Sequence, residues 1–395
     1  MKILFIVQGE GRGHMTQALS LEQILLKNGH EVSSMVVGTS KRREIPRFFR
    51  EKASADLHLV KSPNFYFDKS QKSIDLWKTF YKNLIQIPLF LREIERIRKV
   101  VKREKPDVII NFYDVLGGFY FLFANPNAKR LSLAHQYLAN HSAFPFAEGS
   151  SFQKSMYKLN NFLTSMNCHK KLALSFDQLE QERGDTIIAP PLLRKEIKTL
   201  AVKKEDFILA YVVNKGYGDE ILTWHEKNKK VKILCFWDNY EHPDGWSPRE
   251  NISFRHLDDR AFLEAMANCS GYVSTAGFES ICEAMYLGKP VMMVPVQGQY
   301  EQACNALDAS RAGAGISAHS FDLGPFLSYI TKSQNHSTHF KPWADKVEQI
   351  LIKEIEAYIP KQHKRNRSLW KTLRIKLNSV LSPHEDHQPL ELDHF

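Results

Sequence analysis

Hydrophobic positions recur along this chain in two alternating forms: short unbroken apolar runs, and longer stretches with apolar residues three and four apart. The first run, KILFIV at residues 2–7, leads through Gln8-Gly9-Glu10-Gly11-Arg12-Gly13-His14 into a segment with Met15, Ala18, Leu19, Ile24 and Leu25 at helical spacing, closed by Asn28-Gly29. Runs of the same kind lie at 32–37, 57–60, 107–110, 130–134 and 171–175, and again at 207–213, 231–236, 252–254, 272–274, 291–294 and 315–318. Such runs predict strands buried on both faces, and their alternation with helical segments predicts parallel sheets. The chain therefore reads as α/β, with two doubly wound Rossmann-like domains.

The alternation breaks at 189–206, where Pro190-Pro191 precedes a charged stretch, and this marks an interdomain linker. The division that follows is 1–195 for an N-terminal domain, 196–360 for a C-terminal domain, and 361–395 for a basic tail, partly disordered. With 395 residues, 43% of them apolar, the chain can bury two cores. A ligand held between two such domains, facing each other across a cleft, would lie beyond the carboxyl ends of the strands. The five cysteines (Cys168, Cys235, Cys269, Cys282, Cys304) form no CxxC and read as buried free thiols.

Residues 271–315 hold the densest chemistry. A short strand ends in Ser274-Thr275-Ala276-Gly277, small residues that let a helix N-terminus approach an anion closely. On the helix that follows, Glu279 and Glu283 are four apart and share a face, so Glu283 lies one turn deeper than the anion position. Leu287-Gly288-Lys289-Pro290 stops the helix. The strand at 291–294 then leads to a polar loop at 297–302. Taken singly, each of these residues has a structural explanation as a surface charge, a helix stop or a surface amide.

Taken together, Gly277, Phe278, Ser280, Glu283, Gly288, Pro290, Pro295, Glu301, Gln302, Asn305, Ala306, Gly313 and Gly315 stand in the order of a known donor-binding signature. The run resembles that of the GT-B glycosyltransferases, of the type shared by UDP-glycosyltransferases and the bacterial transferase that makes lipid II. The resemblance implies that the first domain binds the acceptor and the second a nucleotide sugar, with Glu283 on the ribose hydroxyls, the Gly277 to Ser280 turn on the diphosphate and Glu301-Gln302 on the sugar hydroxyls; Gly13, Thr275, Ala276, Phe278 and Asn305 are further donor-binding candidates. Two positions depart from the plant-type pattern: Thr275 stands where a phosphate-binding His is usual, and Glu279 where an Asn is usual. Retaining members carry a second Glu eight residues before the Glu283 position, where this chain has Thr275. That implies inversion.

The N-terminal glycines suggest a dinucleotide fold, but His14 replaces the third glycine and the second strand ends in Gly38-Thr39 without an acid, which argues against NAD. In the resembling enzymes a Gly-His pair opens the first helix, and the His deprotonates the acceptor hydroxyl. Imidazole has the pKa for that task. By the same resemblance Asp114, in Asn111-Phe112-Tyr113-Asp114, is the candidate partner of His14, and both together are the catalytic candidates. Their structural alternatives are a backbone-bonded histidine for His14 and a helix-capping acid for Asp114. Glu10, His135 and Gln136 are acceptor-side candidates.

The chain contains no Asp-x-Asp triplet, so no metal site or cofactor is expected beyond the nucleotide-sugar co-substrate, and helix dipole, backbone N–H and hydroxyls must carry leaving-group charge. The net charge of +10 asks for an acidic partner. Residues 361–376 hold seven Lys or Arg and no acid, with Leu369, Leu373, Leu377 and Val380 on one side of a helical wheel. This pattern suits an anionic membrane surface, and a disordered basic tail is the alternative. A second candidate surface is 76–105, where Trp77, Phe80 and Leu84 mix with Lys78, Lys82 and Arg92; core packing would explain its apolar residues too. No signal peptide or bilayer-spanning run is present, so a cytoplasmic location, peripheral on the membrane, is expected. The expectation is a hexosyltransferase acting on a lipid-linked or amphiphilic acceptor, with a nucleotide-sugar 2-epimerase as the alternative. Nucleic-acid binding is suggested by charge alone and finds no recognition module.

Overall fold

The computed structural model describes residues 1–40, 45–63, 76–213, 215–332 and 337–357. The basic stretch at 361–376 and the rest of the tail lie outside the described residues.

The first half runs β1 (Lys2–Gln8), α1 (Arg12–Lys27), β2 (Glu31–Thr39), α2 (Arg47–Lys52), β3 (Asp56–Lys61), α3 (Leu76–Ile85), α4 (Ile87–Glu104), β4 (Val108–Phe112), α5 (Val115–Ala124), β5 (Lys129–Ala134), α6 (Ser151–Thr164), β6 (Lys170–Leu174) and β7 (Thr186–Ala189). The second continues with β8 (Ile208–Val212), α7 (Lys215–Lys227), β9 (Ile233–Trp237), β10 (Trp246–Arg249), β11 (Ile252–His256), α8 (Asp259–Asn268), β12 (Gly271–Ser274), α9 (Phe278–Tyr286), β13 (Val291–Met293), α10 (Tyr300–Arg311) and β14 (Gly315–Ser317). Three helices follow, α11 (Gly324–Ile330), α12 (Ser337–Ala344) and α13 (Val347–Glu356).

Each half builds one seven-stranded sheet, ordered β3-β2-β1-β4-β5-β6-β7 and β10-β11-β9-β8-β12-β13-β14. Every pairing is parallel except that of β10 with β11. The reason is visible in β1, where Ile3 to Val7 are wholly buried because helices cover both faces of the sheet. The strand order reverses between β1 and β4 in the first sheet and between β8 and β12 in the second. Such switch points open a crevice at the carboxyl ends of the strands. The two doubly wound domains expected from the alternation of runs are thus present.

Two strands were not legible in the hydrophobic pattern. β7 is only four residues long and runs directly into Pro190-Pro191, too short a run to stand out. β10 carries Pro248 and is mostly polar, which a sheet tolerates only at an edge. The chain then returns across the molecule. Trp343 Nε1 donates to Ser175 O at 3.0 Å, Lys27 reaches Glu348 at 2.8 Å, and Lys129 Nζ donates to the terminal carbonyls of Ile355 and Ala357 at 3.1 and 2.7 Å. A cation on the open carbonyls of a helix end satisfies them and suits its dipole. Residues 337–357 therefore tie the end of the second half back onto the first.

α3 and α4 divide the apolar residues of 76–105 between two fates. α4 buries Phe90, Ile97 and Val101 against the first sheet. Trp77, 85% exposed, with Tyr81, Leu84, Ile85 and Ile87, stands in solvent beside Lys78 and Lys82. Among the described residues no helix is long and apolar enough to cross a membrane.

Candidate active site

A cavity of about 410 Å³ lies between the two switch points. Its lining includes every site residue singled out from the sequence except Asp114. Two helix N-termini meet there. α1 begins after Gly11 and α9 after Gly277, and neither has a side-chain cap, so their first N–H groups are open to an anion. A Cβ on Gly277 would come no nearer than 4.0 Å to any other atom, and one on Gly11 would touch nothing. Space at these glycines is therefore not required by the protein's own packing.

His14 is buried in the first turn of α1 and stacks on Tyr113, ring centroids 5.4 Å apart. Its Nδ1 is 3.2 Å from Gln17 Oε1, while Gln17 Nε2 donates to Glu279 Oε1 at 2.5 Å. Because the amide nitrogen is committed to the acid, Nδ1 must carry the proton facing Gln17 and Nε2 keeps its lone pair. Burial brings the imidazole pKa down to about 4, with Gln17 opposing, so the ring is neutral at physiological pH.

The expected pairing of His14 with Asp114 is not made. Asp114 is the N-cap of α5 and accepts from Leu116 N at 2.8 Å, Gly117 N at 3.3 Å and Ser62 Oγ at 3.1 Å. Burial raises its carboxyl to about 6 against those three bonds. The residue that reaches His14 is its neighbour Tyr113, held at φ 60°, a conformation a bulky residue adopts only when its surroundings impose it.

In the second domain, Thr275 and Ala276 are buried, and Asn305 Nδ2 pins the turn by donating to Ala276 O at 3.1 Å. Phe278 stacks on His135 at 4.0 Å between centroids. His135 Nδ1 faces Leu174 O at 2.7 Å, so the proton sits there, and burial takes this imidazole also to about 4. Gln136 Nε2 donates across the cleft to Glu301 Oε1 at 2.8 Å. Gln302 turns its Oε1 to Val296 N at 2.8 Å and fixes the polar loop.

A family model described as glycosyl transferase family 1 matches residues 1–330. The chain belongs to this family. It is a glycosyltransferase with the GT-B fold. Among curated relatives, the UDP-N-acetylglucosamine–N-acetylmuramyl-(pentapeptide) pyrophosphoryl-undecaprenol N-acetylglucosamine transferase of Clostridioides difficile (strain 630) is 23% identical over 345 residues, 82% of this chain and 78% of the relative. An uncharacterized glycosyltransferase of Methanosarcina acetivorans is 21% identical over 350 residues, 80% of this chain and 85% of the relative. Among solved structures, Acinetobacter baumannii MurG superimposes with a TM-score of 0.54 at 15% identity, covering 90% of this chain and 99% of that one. The calicheamicin glycosyltransferase CalG4 gives 0.61 at 14%, covering 90% and 98%. None of these supports the epimerase alternative.

In this glycosyltransferase the structure adds residues that sequence reasoning missed. Arg194, in the linker, makes a two-pronged pair with Glu283, Nε to Oε1 at 2.6 Å and Nη2 to Oε2 at 2.5 Å. Asp259 joins it to Arg12, 3.3 Å away on α1, so two cations border the open helix N-termini. The only hint in sequence was a basic residue placed where the chain crosses the cleft. Gln17 gave no signal, since a glutamine three residues along a helix is ordinary. A larger cleft of about 1210 Å³, with Phe146, Tyr217 and Tyr300 on its walls, adjoins the cavity and shares Val213 and Gln299 with it.

Proposed function

We propose that this glycosyltransferase moves a sugar from a UDP-sugar to a hydroxyl of an amphiphilic, lipid-linked acceptor, with inversion and without a metal. The observation that carries the reading is a neutral His14, its Nε2 lone pair free, lining the same cavity as the uncapped N-terminus of α9. The diphosphate lies on the N–H groups at Gly277 to Ser280, with Arg194 and Arg12 beside it. Glu283 accepts the ribose hydroxyls with the lone pairs that Arg194 leaves, since a carboxylate offers about four. His14 Nε2 takes the acceptor's proton as the acceptor oxygen bonds to the anomeric carbon and the bond from that carbon to the diphosphate oxygen breaks. Glu301 and its partner Gln136 lie where sugar and acceptor meet.

The lipid-linked acceptor is supported by the relatives whose names specify an undecaprenol-linked substrate, and by the exposed apolar face of α3 flanked by lysines. Peripheral attachment through α3 and through the basic residues at 361–376 follows from the same reading. The test is release of nucleoside diphosphate from UDP-sugars with and without lipid-linked acceptor, in the presence of EDTA. Turnover that needs acceptor and survives EDTA is expected. Turnover abolished by EDTA removes the metal-free route, and equal turnover without acceptor removes the transfer.

A further inference from the structure

A general base becomes a cation as it works. When His14 takes the acceptor's proton, a buried imidazole turns into an imidazolium, and burial disfavours that charge enough to hold the free ring's pKa at about 4. The resemblance assigns the compensating charge to Asp114, whose side chain is committed to capping α5. The oxygen at His14 Nδ1 belongs to an uncharged amide, Gln17. What covers the imidazole is the ring of Tyr113, 5.4 Å away between centroids and within 24° of parallel. Several contacts place that ring. Asn111 Oδ1 accepts from Asp114 N at 3.1 Å and its Nδ2 donates to Asp114 O at 2.9 Å, which turns the chain sharply and holds Tyr113 at φ 60°. Tyr113 OH donates to Asn161 Oδ1 at 2.5 Å, and Asn161 is itself fixed on α6 by donating through Nδ2 to Gln136 O at 2.9 Å. Tyr137 packs against Tyr113 edge-on at 5.6 Å. A glycine would make this turn without strain, but it would supply no ring.

We propose that Tyr113 is the positioning residue of the base: its π face stabilises the imidazolium that forms on His14 during transfer, in the role the resemblance gives to an acid, and its fixed ring keeps Nε2 turned to the cavity. The proposal rests on the reading of His14 as the base. A cation within about 6 Å of an aromatic centroid is attracted by the negative face of the ring. Tyr113 meets that distance and is neutral, so it favours the imidazolium without setting another negative charge beside an incoming diphosphate. In the step itself the acceptor O–H bond breaks and its proton goes to Nε2, while the acceptor oxygen bonds to the anomeric carbon and the diphosphate leaves with the electron pair. Tyr113 exchanges no atom. The other charged or titratable groups on the same cavity wall are Glu10 and Arg12 ahead of His14, Glu279 and Glu283 on α9, Glu301 on α10, Asp259 on α8, Arg194 and His135.

The experiment grades the ring and keeps its shape. In the full chain, position 113 is filled with phenylalanine carrying none, one or three ring fluorines, each of which weakens the negative face. Two quantities are read, the titration midpoint of His14 by NMR on labelled histidine, which needs no substrate, and the single-turnover rate of transfer from UDP-N-acetylglucosamine to a pyrophosphoryl-undecaprenol-linked acceptor, substrates in the relatives' names. A weaker face favours the cation less, so the midpoint should fall across the series, by about half to one and a half pH units in all, the span of a cation–π contact. The logarithm of the rate should fall in step, about threefold to thirtyfold in all, with UDP affinity within about twofold throughout. Tyr113→Leu, apolar without a π face, should lose at least as much in rate. A midpoint that stays put, equal rates across the fluorinated series, or a loss of UDP affinity matching the loss of rate overturns the proposal and leaves Tyr113 as packing beside the base. His14→Ala transferring as fast as the wild type overturns the base reading, and the proposal with it.

Discussion

Asp114 and Glu279 hold matching places in the two domains. Each is an acid at the start of the helix that follows the strand beside a switch point, β4 in one sheet and β12 in the other. They meet opposite fates because of a small offset. Asp114 is itself the N-cap of α5, so its Oδ1 turns back onto the helix's own N–H groups. In α9 the N-cap is Gly277, which has no side chain to turn back, and Glu279 lies two residues further on. A helix that caps itself has satisfied the donors an anion would use; a helix capped by glycine has not. α5 thus closes its own end, while α9, like α1 in the first domain, leaves its end open.

The comparison breaks first at the catalytic side. His14→Ala should lower turnover by about a hundredfold to ten-thousandfold while nucleoside diphosphate still binds. An equal loss of donor affinity would place His14 in the donor cradle instead. Wild-type kcat/KM should also fall as pH drops through about 4, where the free enzyme's His14 gains a proton and can no longer accept one. An acid limb near the ordinary value of about 6.5 would mean that burial does not govern this group.

Giving α9 its own acid is the direct test of the open end. At Gly277, φ −81° and ψ 131° suit an N-cap and a Cβ has room. Gly277→Asp should therefore leave the fold as stable as before or more so, yet cost roughly tenfold to a hundredfold or more in donor affinity, since the new carboxylate takes the N–H groups and repels the diphosphate. Unchanged affinity for UDP by calorimetry would show that the phosphates lie elsewhere. Glu283→Ala should weaken UDP binding by roughly 1.5–3 kcal/mol. It also takes from Arg194 its two-pronged partner and leaves it only Asp259 at 3.7 Å, so a lower melting temperature should accompany the loss.

Asp114→Ala carries the smallest effect. It should cost about 0.5–2 kcal/mol of stability, the range for removing a cap, with turnover of the folded enzyme near normal. Denaturant unfolding and initial rates on the same preparation decide it. A stable variant with turnover lowered tenfold or more would restore Asp114 to catalysis.

Much of the second domain's share of the cavity was legible because its parts are neighbours in sequence. One strand and two helices between 271 and 315 bring Thr275, Ser280, Glu283 and Glu301 to the cavity, and local spacing settles which of them share a face. The first domain gave up less. Its segments near the site come from separate crossovers, so distance along the chain says little about which side chain meets which. Asp114 was singled out where the adjoining Tyr113, at positive φ, makes the contact with His14.

The alternation of apolar runs by itself determined two parallel α/β units, since strands buried on both faces have no other economical arrangement. The glycines and small residues at the ends of β1 and β12 determined where a ligand could approach. Tertiary structure alone decided that Arg194 clasps Glu283, that Gln17 joins His14 to Glu279, and that Lys129 receives the end of α13. Apart from the local His14–Gln17 bond, each is a pairing between residues far apart in the chain. Hydrogen bonds and ion pairs of that kind depend on how the two sheets are set against each other, and no periodicity along a single element records it.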